Sequence, residues 1–246
     1  VYVQTNSVLL VDIGNTRIKY RLLNDDADNV TTVDDLSALI TYIEAAPLTH
    51  LYIANVGKPA VEEALAQLCN EQQIIFCAVK TESEAFGITN SYQNPQKMGV
   101  DRWLAILGAA KLTDKPFAVI DAGTAVTVDF VADGQHLGGW IAPGFHTMKK
   151  ALLSNTTRVF ENETVPEQLM AASDTEECVA MGCLAALQGV FWSAKRRLNN
   201  QFKENVIIFT GGDKKLLTSA CDGDSLSAAN LVIDGLARYA EKASFD

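Results

Sequence analysis

No run of lysine and arginine longer than the pair Lys149-Lys150 or the triplet Lys195-Arg196-Arg197 occurs in the 246 residues, and thirty acidic side chains outnumber twenty basic ones. A chain of formal charge -10 offers no positive face, so neither nucleic acid nor an anionic membrane is an expected partner. No stretch approaches the ~20 uninterrupted apolar residues of a membrane span. The N-terminal VYVQTNSVLL lacks the basic region and apolar core of a secretion signal, and the expected compartment is the cytoplasm. It also lacks an initiating methionine, which suggests a trimmed chain or a foreign remnant. The five cysteines, Cys69, Cys77, Cys178, Cys183 and Cys221, form no CxxC pair. Cys178 and Cys183 have a poor spacing for zinc on an expected helix, so buried free thiols are the expected state. His50, His136 and His146 have no partner pattern and read as structural. A GxxxxGK[ST] sequence is missing too, which removes the P-loop route to nucleotide binding.

What remains is a chain that is 48% apolar, enough for a substantial core in one large domain or two small ones. Its periodicity alternates strands and helices, the pattern of an α/β fold. An apolar run from Ser7 ends at Asp12, and Ile18, Tyr20 and Leu22 then alternate with Arg17, Lys19 and Arg21 as in a half-wet hairpin strand. A helix opening near Asp34-Asp35, a strand over His50 to Asn55, a helix over Pro59 to Cys69 and a strand over Ile74 to Val79 follow. Residues 81–97 carry Gly87, Asn90, Asn94 and Pro95 and read as a loop of functional length. A Leu/Ala-rich helix is expected over about Asp101 to Lys111.

The second half repeats the order. Strands are expected over Phe117 to Asp121, Thr124 to Val131 and His136 to Ile141, with Asp133-Gly134 as a turn. Pro143-Gly144 leads into a helix, a long helix covers about Thr175 to Leu198, and a strand covers Asn205 to Phe209. A last strand and helix lie over Leu231 to Lys242. Two related units meeting near Thr113 to Pro116 result, 1–115 and 116–246, each about the size of a small domain.

Two stretches share one grammar. VDIGNTRIK and IDAGTAVTVD each end a strand in Asp-x-Gly and turn into a hairpin. In the first, Gly14 offers unobstructed backbone N–H groups to a phosphate, and Asn15, Thr16 and Lys19 add donors. Asp12 cannot bind phosphate directly and is suited to a hydrated Mg²⁺ that bridges phosphates. Taken alone, the same residues would also make an ordinary tight turn. The second copy offers Gly123, Thr124 and Thr127 with carboxylates at Asp121 and Asp129, so the pair could grip one polyphosphate.

TGGD at Thr210 to Asp213 could admit a flat adenine or ribose to its backbone or could cap a helix. In KMGVDRWLAILGAA, Asp101 is either the N-cap of the helix or a general base for a substrate hydroxyl, with Arg102 facing an anionic group. Lys149-Lys150 reads as a solvated helix face.

The paired hairpins resemble those of the superfamily that contains actin, the sugar kinases and the heat-shock ATPases. DIGNTRIK, the Tyr92 to Pro95 stretch followed by GVDRW, DAGTAVTVD, GGWIAPG, TGGD and LVIDGL are similar in order and spacing to type III pantothenate kinases over nearly the whole chain. The resemblance implies two ribonuclease H-like lobes of mixed sheet flanked by helices. It implies transfer of the γ-phosphoryl of ATP to pantothenate, the first committed step of coenzyme A synthesis, in a homodimer whose partner completes the pantothenate pocket. Asp12, Ile13, Gly14, Asn15, Thr16, Arg17, Ile18 and Lys19 would bind the ATP phosphates with Thr124. Tyr92, Gly99, Val100, Asp101 and Arg102 would line the pantothenate pocket, with Asp101 as proton acceptor. Asp121 would hold a monovalent cation, K⁺ or NH₄⁺, and Asp12 would act with Mg²⁺.

Thr175 is the natural match to a further pantothenate contact, although SDTEECVAMG departs from the commoner Asn-Thr context. Ala54-Asn55-Val56-Gly57 replaces the Ser-Val-x-Pro type of turn, and Trp140 stands where Asp or Phe is frequent. Neither removes a phosphate ligand or the proposed base. A regulatory relative without activity, or a kinase or phosphatase of the superfamily acting on another compound, are the alternative readings.

Overall fold

The computed structural model describes residues 7–154, 165–221 and 225–243; residues 1–6, read above for a secretion signal, lie outside them. Two compact units are present: one takes the chain up to Leu112 and resumes at Asn230, and the other is Thr113–Ala229.

In chain order the first unit holds β1 (Val8–Ile13), β2 (Ile18–Leu22), β3 (Thr31–Val33), α1 (Leu36–Ala45), β4 (His50–Asn55), α2 (Pro59–Glu71) and β5 (Ile75–Ala78). A minimal hairpin follows, β6 (Glu84–Ala85) with β7 (Ile88–Thr89), and then α3 (Val100–Ala109). The sheet order is β3-β2-β1-β4-β5. β1 runs antiparallel to β2 and parallel to β4. Every residue of β1 except Asp12 is buried, as a central strand covered on both faces requires. α1 starts where the sequence predicts, because the Asp35 carboxylate accepts the Ala38 N–H at 3.0 Å and satisfies a first-turn donor.

The second unit holds β8 (Phe117–Ala122), β9 (Ala125–Ala132), β10 (Gln135–Pro143), α4 (Phe145–Ser154), α5 (Thr175–Gln201), β11 (Val206–Thr210), α6 (Lys215–Thr218) and β12 (Ser225–Ser227). Within it β10, β9, β8, β11 and β12 are neighbours in that order. β8 and β9 are antiparallel, whereas β8, β11 and β12 run parallel. This is the first unit's order over again, so the repeat read from the two Asp-x-Gly turns extends to the whole sheet. Leu184, Leu187, Phe191, Ala194 and Leu198 of α5 are buried in the core of this unit, at the three- and four-residue spacing of an amphipathic helix. α5 is long and apolar enough to cross a membrane by length and composition alone, yet that apolar face is the one the second unit buries.

The closing helix, α7 (Leu231–Ala243), packs in the first unit and not with the half that precedes it in sequence. Small residues explain this. A Cβ on Gly235 would lie 2.2 Å from the Leu104 carbonyl oxygen, and one on Gly108 would lie 2.4 Å from that of Leu231. α3 and α7 thus cross with backbone against backbone, and α3 is buried over nearly its whole circumference.

Several expectations need correction. The last segment is helix throughout, and its strand, β12, comes earlier. β3, β6, β7 and β12 went unread because two or three residues show no period. Asp101 does not cap α3: Gly99 occupies the cap without a side-chain bond, and Asp101 is the second helical residue.

Candidate functional site

Asp12, the last residue but one of β1, lies opposite Lys19 of β2, and Ile13 pairs with Ile18. Both isoleucines are buried, so only their backbones can serve a ligand. Between them Asn15, Thr16 and Arg17 are exposed. Gly14 donates its N–H to the Arg17 carbonyl at 3.1 Å, so this amide closes the turn; donors for a phosphate must come from the residues after it. A Cβ on Gly14 would sit 3.1 Å from the same Arg17 oxygen, a tight contact that glycine avoids. Arg17 also lies 3.9 Å from Asp34, with both side chains mostly exposed, a contact worth little in water. Across the strand ends, the Lys58 ammonium donates to the carbonyls of Gly14 at 2.8 Å and Asn15 at 3.2 Å. No sequence motif pointed to Lys58; the Gly57-Lys58-Pro59 turn after a strand parallel to β1 was the available signal.

The long loop before α3 is internally bonded. The Asn90 carboxamide oxygen accepts the Tyr92 N–H at 2.9 Å, Thr81 donates its hydroxyl to the Met98 carbonyl at 2.9 Å, and Gln96 donates to the Thr81 carbonyl at 2.7 Å. These bonds hold Tyr92 against Arg102: the guanidinium donates to the Tyr92 hydroxyl at 3.0 Å and lies 5.9 Å from its ring centre. Arg102 is buried, so this expected substrate contact is a braced cation. Gly99 leaves room for Asp101, because a Cβ there would be 2.4 Å from the Asp101 carboxylate. That carboxylate accepts the Arg102 N–H at 2.8 Å, one of the first-turn donors that have no partner within the helix. Val100 is buried beneath it.

In the second unit the turn after Asp121 repeats the first. Gly123 donates its N–H to the Ala125 carbonyl at 3.0 Å. The Thr124 carbonyl accepts the Gly144 N–H at 3.0 Å and the Thr147 hydroxyl at 2.6 Å. A Cβ on Gly144 would fall 1.8 Å from the Gly123 oxygen, so the glycine of the Pro143-Gly144 turn is required for the α4 entry to reach this turn. Asp121 pairs with Thr127 and Thr210 in the sheet.

Asp129 is elsewhere: it is buried two pairs further from the turn and lies 3.0 Å from His136, also buried. Neither belongs to the phosphate turn, and the structural reading of His136 gains its partner. Lys149 is buried rather than solvated, while Lys150 is exposed.

TGGD lies against the same turn. Gly211 has φ of +89°, and a Cβ there would meet the Ala122 carbonyl at 2.2 Å and the Asp121 carboxylate at 2.4 Å. The Asp213 N–H binds the Ala122 carbonyl at 3.0 Å, and the Asp213 carboxylate faces His146 at 3.7 Å. Helix capping is therefore not the role of Asp213, since the cap position of α6 is Lys214. Gly212 meets nothing within 4 Å, which leaves its face open to a flat ligand.

Thr175 is the first residue of α5, whose cap is Asp174 accepting the Glu177 N–H at 2.9 Å. It lines a cavity of about 550 Å³ with Leu152, Cys178, Val179 and Cys183. Burial pushes the Cys183 thiol up, against the opposing charge of Lys149. Cys178 is exposed, so not every thiol is buried as expected: this one lies on the open side of the first turns of α5.

No cluster of three metal-type side chains occurs among the described residues. Asp12 is the carboxylate at the first turn, and a Mg²⁺ ion that keeps its waters and binds phosphates would need no more than one or two such ligands. The Gly211 backbone packs directly on the Ala122 carbonyl and the Asp121 carboxylate, where any side chain would overlap these oxygens.

Comparison with known proteins adds to this geometry. Residues 8–194 match the profile of the type III pantothenate kinase family. The type III pantothenate kinase of Pseudoalteromonas atlantica is 35% identical over 95% of this chain and 97% of its own length. That of Colwellia psychrerythraea is 34% identical over 95% and 100%. Among solved structures, a Baf family protein of Campylobacter jejuni described as a transcriptional activator has a TM-score of 0.67 at 22% identity, covering 97% of this chain and all of that one. MreB5 of Spiroplasma citri, solved with ADP, has a TM-score of 0.51 at 10% identity over 97% of each chain; both likenesses concern the fold alone. Full-length similarity and the profile match together establish that the chain belongs to the type III pantothenate kinase family.

Proposed function

We propose that the protein is a pantothenate kinase that works in the cytoplasm, using ATP to phosphorylate the primary hydroxyl of pantothenate. The carrying observation is the duplicated strand-turn-strand, each copy with an aspartate at the strand end and its turn carbonyls held from behind, in a chain of this family. The hydroxyl oxygen attacks the γ-phosphorus, the bond to the β–γ bridging oxygen breaks, ADP leaves, and the hydroxyl proton passes to Asp101. Asp12 to Lys19 and Thr124 bind the nucleotide. Tyr92, Gly99 to Arg102 and Thr175 bind pantothenate, with Arg102 matched to its carboxylate. Asp12 would hold Mg²⁺, which when bound neutralises charge on the phosphoryl oxygens, and Asp121 would hold K⁺ or NH₄⁺. Because phosphoryl transfer has a loose transition state, positioning and electrostatics count for more than the strength of the base.

A coupled assay for ADP, run with pantothenate in the presence and absence of K⁺ and of NH₄⁺, tests this. Turnover dependent on pantothenate is expected. ADP release with another hydroxyl compound but not with pantothenate would transfer the reading to a different acceptor, and none under either cation would leave a binding protein. The homodimer is tested by light scattering, where twice 26.6 kDa is expected and an active monomer would refute a pocket shared between subunits.

A further inference from the structure

Lys58 lies outside every motif that marks the site, on the turn between β4 and α2. β4 is the parallel neighbour of β1, with Asn55 opposite Ile13, so the turn that follows β4 comes beside the turn that follows β1. Three features fix Lys58 there. Gly57 has φ of +74°, which turns the chain sharply. Pro59 occupies the first helical position, where its fixed φ suits helix entry. The Asn55 carboxamide donates to the Lys58 carbonyl at 2.9 Å. The nearest acid, Glu62, stands one helical turn on and would be the natural partner of a lysine at that spacing. It is instead engaged by Lys80 at 2.7 and 2.8 Å and by Asn55 at 3.2 Å. The half-buried Lys58 ammonium is left to the carbonyls of Gly14 and Asn15, with no carboxylate paired to it among the described residues.

We infer that Lys58 is a positioning residue for the phosphate turn: by holding the Gly14 and Asn15 carbonyls it aims the N–H groups that follow them away from itself, toward the anion. In a planar trans peptide the C=O and the next N–H point in opposite directions, so two carbonyls anchored on one ammonium orient the amides of Asn15 and Thr16 together. Without that anchor either peptide can rotate and present a carbonyl oxygen to the phosphate. The unneutralised charge also polarises both peptides in the direction that strengthens their N–H groups as donors. In the second unit the Thr124 carbonyl likewise accepts from the Gly144 N–H and the Thr147 hydroxyl, so a held turn carbonyl recurs there with neutral donors. The inference rests on the reading of the β1–β2 turn as a phosphate site.

The test is a ladder of nucleotides that differ only in phosphate number. Binding of AMP, ADP and ATP to the full chain is measured by calorimetry for wild type, Lys58→Met and Lys58→Arg, with thermal melting as a check on folding. Wild-type affinity is expected to rise from AMP to ATP. Lys58→Met should weaken ATP by about tenfold, the size of a charge-assisted contact, weaken AMP by less than about twofold, and raise KM for ATP while leaving KM for pantothenate in place. Lys58→Arg, which keeps the charge and the donors, should restore most of the slope. If Lys58→Met does not fold, Lys58→Gln is read on the same ladder against Lys58→Arg. A Lys58→Met or Lys58→Gln protein that keeps the wild-type slope, or that loses affinity for the three nucleotides equally, overturns the positioning role alone. A wild-type protein with no slope overturns the phosphate reading of the turn, and the inference with it.

Discussion

Gly235 of α7 lies against the carbonyl of Leu104 on α3, so close that a methyl group on Gly235 would be 2.2 Å from that oxygen. Helices normally pack with 8–10 Å between axes, set by the side chains at the contact; here the contact is main chain on main chain. Gly235→Ala is therefore expected to destabilise by ~1–3 kcal/mol through overpacking, read by urea denaturation. Gly189→Ala on α5, with nothing within 4 Å of its new methyl, should stabilise by up to ~1 kcal/mol through helix propensity. Equal effects at the two glycines would refute the close crossing.

Arg21 and Asp234 form an ion pair at 3.4 Å in which the arginine side chain is 5% exposed and the aspartate 32%. Burial raises the Asp234 carboxyl above its ordinary range, and Arg21 opposes the rise. A raised carboxyl binds its proton more readily when folded, so Asp234 favours the fold more as pH falls and opposes it once pH passes its folded value. Arg21→Met removes the opposing charge and should destabilise by ~3 kcal/mol at neutral pH. The loss should shrink in acid, where Asp234 becomes neutral; denaturation midpoints across pH 4 to 7 would check it.

Glu62 runs the other way. The hydrogen bond from Lys80 is the largest cause holding its carboxyl below the ordinary range. Its stabilising contribution is present above the unfolded carboxylate value and lost as pH falls through the lower folded one. Lys80→Met should therefore lower stability at neutral pH and make little difference in strong acid, and a loss independent of pH would refute the pairing.

Asp101→Ala should lower kcat by ~10² to 10⁴, the range of a general base, with ATP affinity little changed. Stopped assays for kcat beside equilibrium ATP binding decide the matter, and normal turnover would remove Asp101 from the chemistry.

Tyr92→Phe removes the hydroxyl that accepts from the buried Arg102 at 3.0 Å. Weakened support for a buried cation costs ~1–3 kcal/mol, so KM for pantothenate should rise by about tenfold or more. KM for ATP should stay as it is, and initial rates with each substrate varied in turn separate the two.

The turns were legible because their signals are local. An apolar strand, an aspartate, a glycine that fits a tight approach and an alternating second strand lie within VDIGNTRIK, and each carries its own backbone preference. Asp35 likewise marks a helix start through a bond three residues on, and Pro59 through its fixed φ at the first helical position. Asp101 misled as a cap because the same residue type suits the first turn of a helix as well as its cap. Asp129 was read beside Asp121, but its partner, His136, becomes a neighbour only when β10 folds back on β9.

By itself, then, the chain order of residues determined the duplicated strand-turn-strand, the α/β class and the family, since these rest on side-chain period and short motifs. Tertiary structure alone decided that α7 packs on α3 through Gly108 and Gly235, that Gly14 uses its own amide to close the turn, and that Lys58 stands behind that turn. The reason is physical: a residue's backbone preference acts on its near neighbours, whereas which atoms share a buried bond depends on the faces that distant segments bring into contact.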